Sequence, residues 1–136
     1  MDFTPSPQVE TLRERILDFM DAHIYPQERE IMGALDAEVT AGVPNPKILV
    51  EIRERAKSEG LWNLFMPDER YGPGLTNWEY GLLCEEMGRS PAAAPMAFNC
   101  SAPDTGNMEI LAEHGSDEQR ERWLEPLLEG RIRSCF

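Results

Sequence analysis

The sequence predicts an all-α fold, a bundle of about five to six helices with the chain ending at the start of a β-strand. Three observations point that way. Apolar side chains return at spacings of three and four in one segment after another, which lays them along one helix face. Helix-start signals stand before those segments, and glycines stand after them. Before Ile132 no stretch sustains strand-like alternation, no hairpin turn signal occurs, and no internal repeat is visible.

Ser6 before Pro7 offers an N-cap followed by proline at the first helical position, where its missing N–H costs nothing. Val9, Leu12, Ile16, Met20 and Ile24 then form the apolar stripe of a first helix. Pro26 should kink or break that helix, because proline clashes with the preceding turn, before Ile31, Leu35 and Val39 resume the stripe up to Gly42. Asn45 with Pro46 repeats the start signal, and Leu49, Ile52 and Ala56 form the inward face of an antiparallel partner that Gly60 stops. Leu61-Trp62-Asn63-Leu64-Phe65-Met66-Pro67 is too apolar for a solvated loop and too short for a helix, so it reads as a buried connector. It leads into the turn-rich Pro67–Gly74 stretch.

Thr76 and Glu79 have capping-box spacing and open a helix through Leu82, Leu83 and Met87 to Gly88. Ser101 and Asp104 flank Pro103 like a further cap, for a helix with Met108 and Leu111 inward that ends at His114-Gly115. Ser116 and Gln119 make a last box, and Trp123, Leu124, Leu127 and Leu128 face inward after it, with Pro126 expected to bend the helix. Arg131–Phe136 alternates apolar and polar residues like an entering strand, so residues 1–130 are expected to be a helical N-terminal domain and residues 131–136 the first residues of a β-domain.

The charge balance narrows the partners. Thirteen basic against 25 acidic residues give a formal charge of −12, and Lys47 and Lys57 form no patch with the scattered arginines. Phosphate neutralisation needs clustered cations, so neither nucleic acid nor an anionic membrane surface is an expected partner. Cys84, Cys100 and Cys135 are odd in number and lack zinc-ligand spacing, which fits a reduced compartment and no metal. Neither a signal-peptide pattern nor a membrane-length apolar run is present. A cytoplasmic setting is therefore expected, with a mitochondrial or peroxisomal one left open.

Candidate chemistry is sparse. His23 and His114 are the two histidine bases; His114 suits a helix C-terminus, and His23 reads as a surface or packing residue near Pro26. Glu85 and Glu86, adjacent on a helix, point about 100° apart and read as a solvated face rather than an acid/base pair. Gly72-Pro73-Gly74 lacks phosphate-loop spacing, so its glycines are expected to serve turns with positive φ. Trp62, Phe65, Met66, Trp78, Met87, Met108 and Trp123 are expected in the core. Arg89–Cys100 is a small-residue run with two prolines, apolar enough to pack and narrow enough near Phe98 and Cys100 to leave room for a ligand tail.

The order of certain pieces carries more. Gly60-Leu61-Trp62 is followed by Met66-Pro67, Tyr71-Gly72-Pro73-Gly74 and Glu85-Glu86-Met87-Gly88-Arg89. After these come Gly106–Leu111, His114–Gln119 and Trp123–Gly130. In this order and spacing the chain resembles the flavin-dependent acyl-CoA dehydrogenases across nearly its whole length. Trp62–Pro67 and Asn99–Asn107 look closest to the subgroup that in animals is fused to a phosphotransferase-like domain, whose members favour long-chain, including hydroxylated, acyl-CoAs. Pro73 departs from the Gly-Gly-x-Gly turn of many members.

The resemblance implies the N-terminal part of a three-part enzyme that uses FAD to dehydrogenate an acyl-CoA thioester, of medium to long chain, at the α,β position. It implies no catalytic residue here, because the family's carboxylate base belongs to the C-terminal domain; this chain alone is expected to be inactive. Phe98, Ser101, Ala102 and Thr105 would line the acyl chain, and Phe136 would begin the flavin-contacting strand. An electron-transfer flavoprotein-type acceptor, and a homodimer or homotetramer formed through the C-terminal domain, are further implications. A free-standing helical interaction module, or an acyl-CoA oxidase-like enzyme on the same fold, are the competing readings.

Overall fold

The Ser6 hydroxyl accepts a hydrogen bond from the Val9 amide at 3.4 Å and starts α1 (Pro7–Phe19), as the Ser-Pro signal requires. The computed structural model describes residues 4–42 and 46–135. Past α1 the helix does not break at Pro26. It widens into a π turn at Met20–Ile24, tightens into a 3₁₀ turn at Tyr25–Gln27, and continues as α2 (Glu28–Thr40).

The same device recurs at Pro126, where α7 (Asp117–Gln119) passes through a π turn at Arg120–Leu124 into α8 (Glu125–Leu128). In both places the residue before the proline donates to the carbonyl five back, Tyr25 to Met20 and Glu125 to Arg120. The wider turn absorbs the missing proline N–H and the bulk of its ring. The expected break at Pro26 is thus a local change of helical pitch.

Between these lie α3 (Lys47–Ser58), α4 (Asn77–Met87), α5 (Ala93–Ala97) and α6 (Asp104–His114). Both capping boxes form, Thr76 with Glu79 and Ser116 with Gln119. Asn45 lies outside the described residues, and α3 starts after Pro46 with no side-chain cap. The Ser101–Asp104 cap does not form: Pro103 holds the cap position of α6, and the Asp104 carboxylate turns to the C-terminal segment instead. The described residues contain no strand. Residues 131–135 run irregularly, because a ladder needs a second strand to pair with.

The predicted stripes find the core. Val9, Leu12, Ile16, Met20, Ile24, Ile31, Leu49, Ile52, Ala56, Leu83 and Phe98 are buried in one cluster, where α1 packs on α4 and α3 on α2 and α5. Leu35 is half-buried, and the Val39 side chain lies outside the described residues. Phe65, Met66, Met108, Ala112, Leu124 and Leu127 form a second, smaller cluster under α6 and α8. Tyr80 and Cys100 pack against both. Each buried Leu, Ile, Phe or Met contributes roughly 1.5–3 kcal/mol.

Two aromatics depart from the expected core: Trp78 is 37% and Trp123 is 46% exposed. Trp123 sits on the π turn, whose extra residue rotates it out of register with Leu124, and it stacks under Arg122 at 4.8 Å. Glu86 departs the other way. It is fully buried, not solvated, and its Oε1 accepts from Arg13 Nε at 2.7 Å and pairs with Arg13 Nη2 at 2.6 Å. Its Oε2 lies 2.8 Å from Arg89 Nη2. A buried carboxylate must be paired, and this one ties α1 to the end of α4.

The two clusters are joined by an asparagine pair. Asn63 and Asn99 both have φ of 57°, the left-handed region that asparagine tolerates better than other non-glycine residues. Asn99 Nδ2 donates to Asn63 Oδ1 at 2.7 Å and to the Leu127 carbonyl at 3.1 Å. Asn63 Nδ2 donates to the Leu128 carbonyl at 2.9 Å, where Trp62 Nε1 also donates at 2.6 Å. The Asn63 amide closes the joint by donating to the Phe98 carbonyl at 3.2 Å. The connector, the α5–α6 loop and the end of α8 therefore meet on two side chains.

Asn99→Ala should destabilise the protein by about 2–4 kcal/mol, since it removes the donor to buried Asn63 Oδ1 and leaves a Cβ in the left-handed region, and Asn99→Gly by about 1 kcal/mol less. Urea unfolding measures both. Equal costs would show that backbone geometry contributes nothing at this joint.

Candidate functional site

The run between α4 and α6 turns its small residues inward. Ala93, Ala94 and Ala97 are buried, and Phe98, fully buried, packs on Phe19 with ring centroids 5.2 Å apart. Phe98 is thus a core aromatic in this arrangement, held between α1 and α5. Ser101 and Ala102 reach the surface beside it and line a depression of about 200 Å³, which Met96, Asp104, Arg133 and Ser134 also border. Thr105 lies half-buried on the first turn of α6. The structure brings Ser101 and Ala102 together with the C-terminal segment and sets Phe98 apart. Phe136 lies outside the described residues.

Asp104 organises that edge. It is 4% exposed and accepts from the Ser134 amide at 2.7 Å, the Ser134 hydroxyl at 2.6 Å and Arg133 Nη1 at 2.8 Å. Asn107 Nδ2 donates to the Ser134 hydroxyl oxygen at 2.8 Å. Arg133 Nη1 also donates to Asn99 Oδ1 at 3.2 Å, so the segment is tied to the asparagine joint as well as to α6. Arg53, buried on α3, donates through Nε to the Met96 carbonyl at 3.3 Å, while its Nη2 has no hydrogen-bond partner among the described residues. Burial, and then the nearby Arg133 charge, lower the Arg53 pKa below its ordinary value.

No reactive constellation accompanies this edge. Burial pushes the Cys100 thiol up to about 11 and raises the neighbouring Tyr80 hydroxyl as well. A thiol that stays protonated at neutral pH is a poor nucleophile. His23 packs edge-on against Phe19 at 5.0 Å, and His114 is exposed at the end of α6. Among the described residues no group of three or more His, Cys, Asp or Glu could hold a metal ion, and no helix is long and apolar enough to cross a membrane.

Gly74 has the expected positive φ, +71°, but Gly72 does not. A Cβ at Gly72 would lie 2.7 Å from both Met66 Cβ and the Met66 carbonyl, so this glycine exists for close approach to the connector. Larger depressions of about 850 Å³ beside Asp68 and Glu109, and about 610 Å³ beside Gln8 and Trp62, lie away from the Ser101–Asp104 edge.

Asn63, Asn99, Asp104 and Arg133 were not legible as a group. The available signal was asparagine in otherwise apolar loop sequence, Trp62-Asn63-Leu64 and Phe98-Asn99-Cys100, which marks a left-handed residue with buried polar neighbours.

The family model "Acyl-CoA dehydrogenase, N-terminal domain" matches residues 6–131. Acyl-CoA dehydrogenase family member 10 of Mus musculus is 52% identical over 136 residues, covering 96% of this chain and 12% of its own length. The probable acyl-CoA dehydrogenase FadE2 of Mycobacterium tuberculosis is 46% identical over 100% of this chain and 33% of its own. A solved structure from Mycobacterium abscessus assigned as an acyl-CoA dehydrogenase superposes with a TM-score of 0.82 at 45% identity, covering 96% of this chain and 33% of that one. The chain thus spans between 12% and 33% of the length of these relatives.

At pH 8 an alkylating reagent should modify Cys100 in the folded protein about 100-fold more slowly than exposed Cys135, with the Cys100 rate still rising as pH approaches 11. Peptide mass mapping of a timed reaction reads this. Equal rates would contradict the buried, protonated thiol.

Proposed function

The chain belongs to the acyl-CoA dehydrogenase family, as its N-terminal helical domain, and from that premise we propose that it forms one wall of the acyl pocket in an FAD-dependent enzyme that dehydrogenates acyl-CoA thioesters of medium to long chain. The single observation that supports this most is the shared edge. Ser101 and Ala102, the start of α6 and residues 133–135 stand side by side, so a wall for substrate and an approach toward the cofactor are built on one rigid element.

The donors at this edge, the Arg133 guanidinium and the Ser134 hydroxyl, are engaged by Asp104, so the edge fits a role in directing the C-terminal segment toward FAD rather than a phosphate cradle of free backbone amides. When bound by the longer protein, FAD supplies the two-electron acceptor for the hydride from the β-carbon. This chain's own residues position and exclude. Ala102 and Thr105 present small side chains to the acyl chain, and the packed Ala93–Phe98 layer behind them keeps water out of the wall. The α-proton goes to a carboxylate outside this chain, because Asp104, the buried carboxylate that borders the Ser101–Ala102 depression, is already engaged by Arg133 and Ser134.

Residues 131–136 begin the β-domain in this reading, and Phe136 is the first flavin-contacting residue. An electron-transfer flavoprotein-type acceptor, a homo-oligomer formed through a C-terminal domain, and a cytoplasmic setting complete the proposal.

The 136-residue chain alone should be colourless and inactive, while a protein extended through both later domains should bind FAD and reduce an artificial acceptor with acyl-CoA. In that longer protein Ala102→Phe should cut kcat/KM about tenfold or more for long acyl chains and less than about threefold for short ones. A uniform loss, or none, would remove Ala102 from the wall.

A further inference from the structure

We propose that Asp104 is a positioning residue for the cofactor: by gripping Arg133 and Ser134 it fixes the path along which the chain approaches Phe136 and the flavin. The inference rests on the functional reading above, and adds to it a role for Asp104, on the border of the same depression, that is separate from lining the acyl chain.

The observations converge from three sides. Asp104 is the first residue of α6, is almost wholly buried, and spends its carboxylate on neighbours 29 and 30 positions away rather than on its own helix. Its Oδ1 takes both the backbone amide and the hydroxyl of Ser134, at 2.7 and 2.6 Å, which fixes register as well as position. A single side-chain contact would leave the backbone free to slide. Asn107, one turn along α6, donates to the same hydroxyl at 2.8 Å, so Ser134 is held from two points of one helix.

The charge of Asp104 matters separately from its shape. Arg133 sits close enough to buried Arg53 to lower the Arg53 pKa, so the two guanidiniums repel. Asp104 is the carboxylate in contact with Arg133, at 2.8 Å. Removing its charge while keeping its outline would leave Arg133 facing buried Arg53 without its carboxylate partner. The segment would then move outward, away from α6. Where reacting groups must be aligned, a displacement of about 1 Å can cost 100-fold in rate.

The test uses the longer flavoprotein with Asp104→Asn, Asp104→Glu and, as a stability control far from this edge, Glu86→Gln. Expected for Asp104→Asn are FAD binding weakened about tenfold or more, a shifted visible flavin spectrum, and kcat falling more than KM rises. Asp104→Glu, which keeps the charge, should recover FAD affinity to within about threefold of wild type. Glu86→Gln should lower Tm while leaving FAD affinity and spectrum unchanged. Wild-type spectrum and affinity in Asp104→Asn would overturn the inference, as would flavin loss in Glu86→Gln matching its drop in Tm. A wild-type longer protein that takes up no flavin overturns the functional reading itself, a result distinct from either.

Discussion

The hydrogen bond between Asn99 and Asn63, 2.7 Å and fully inside the protein, is the constraint on which the rest depends. Two apolar clusters of unequal size must be held in one arrangement, and burial alone does not fix how they meet, since hydrophobic attraction has no direction. The asparagine pair supplies the direction. Each residue adopts a left-handed backbone that turns the chain sharply, and each side-chain amide donates to a carbonyl at the end of α8. Because Arg133 reaches Asn99 Oδ1, the C-terminal segment inherits its position from the same joint.

The helical design accommodates proline by changing pitch. The π turns before Pro26 and Pro126 carry backbone hydrogen bonding up to each proline, on the way from α1 to α2 and from α7 to α8. A cost follows at Trp123, which the inserted residue rotates to the surface. At the opposite face, buried Glu86 between Arg13 and Arg89 closes α1 on α4 and places α4 to present Tyr80 to both clusters.

How much of this could be read from sequence varies with range. The stripes from Val9 to Ile24 and from Leu49 to Ala56, the caps at Ser6, Thr76 and Ser116, and the all-α class were legible, because periodicity and capping are local properties. The pitch change at the prolines was not, since a break and a widened turn satisfy the same missing N–H. Glu86 and Asp104 were misread for a different reason: Arg13, which joins Arg89 in pairing Glu86, lies 73 residues away, the partners of Asp104 lie about 30 away, and no local pattern announces such pairing. Of the residues expected to line the acyl chain, Ser101 and Ala102 border the small depression beside Arg133 and Ser134, whereas Phe98 packs on Phe19.

The central claim is that the asparagine joint, not the helices individually, sets where the Ser101–Ala102 edge and the C-terminal segment stand. Native-state hydrogen exchange at the Ser134 amide in Asn99→Gly tests it most directly, because Asn99 does not touch Ser134 and the amide's own acceptor, Asp104, is unchanged. The account predicts that Ser134 loses protection about tenfold or more beyond the change in global stability. Protection at Ser134 that follows global stability alone, with no extra loss, would contradict it.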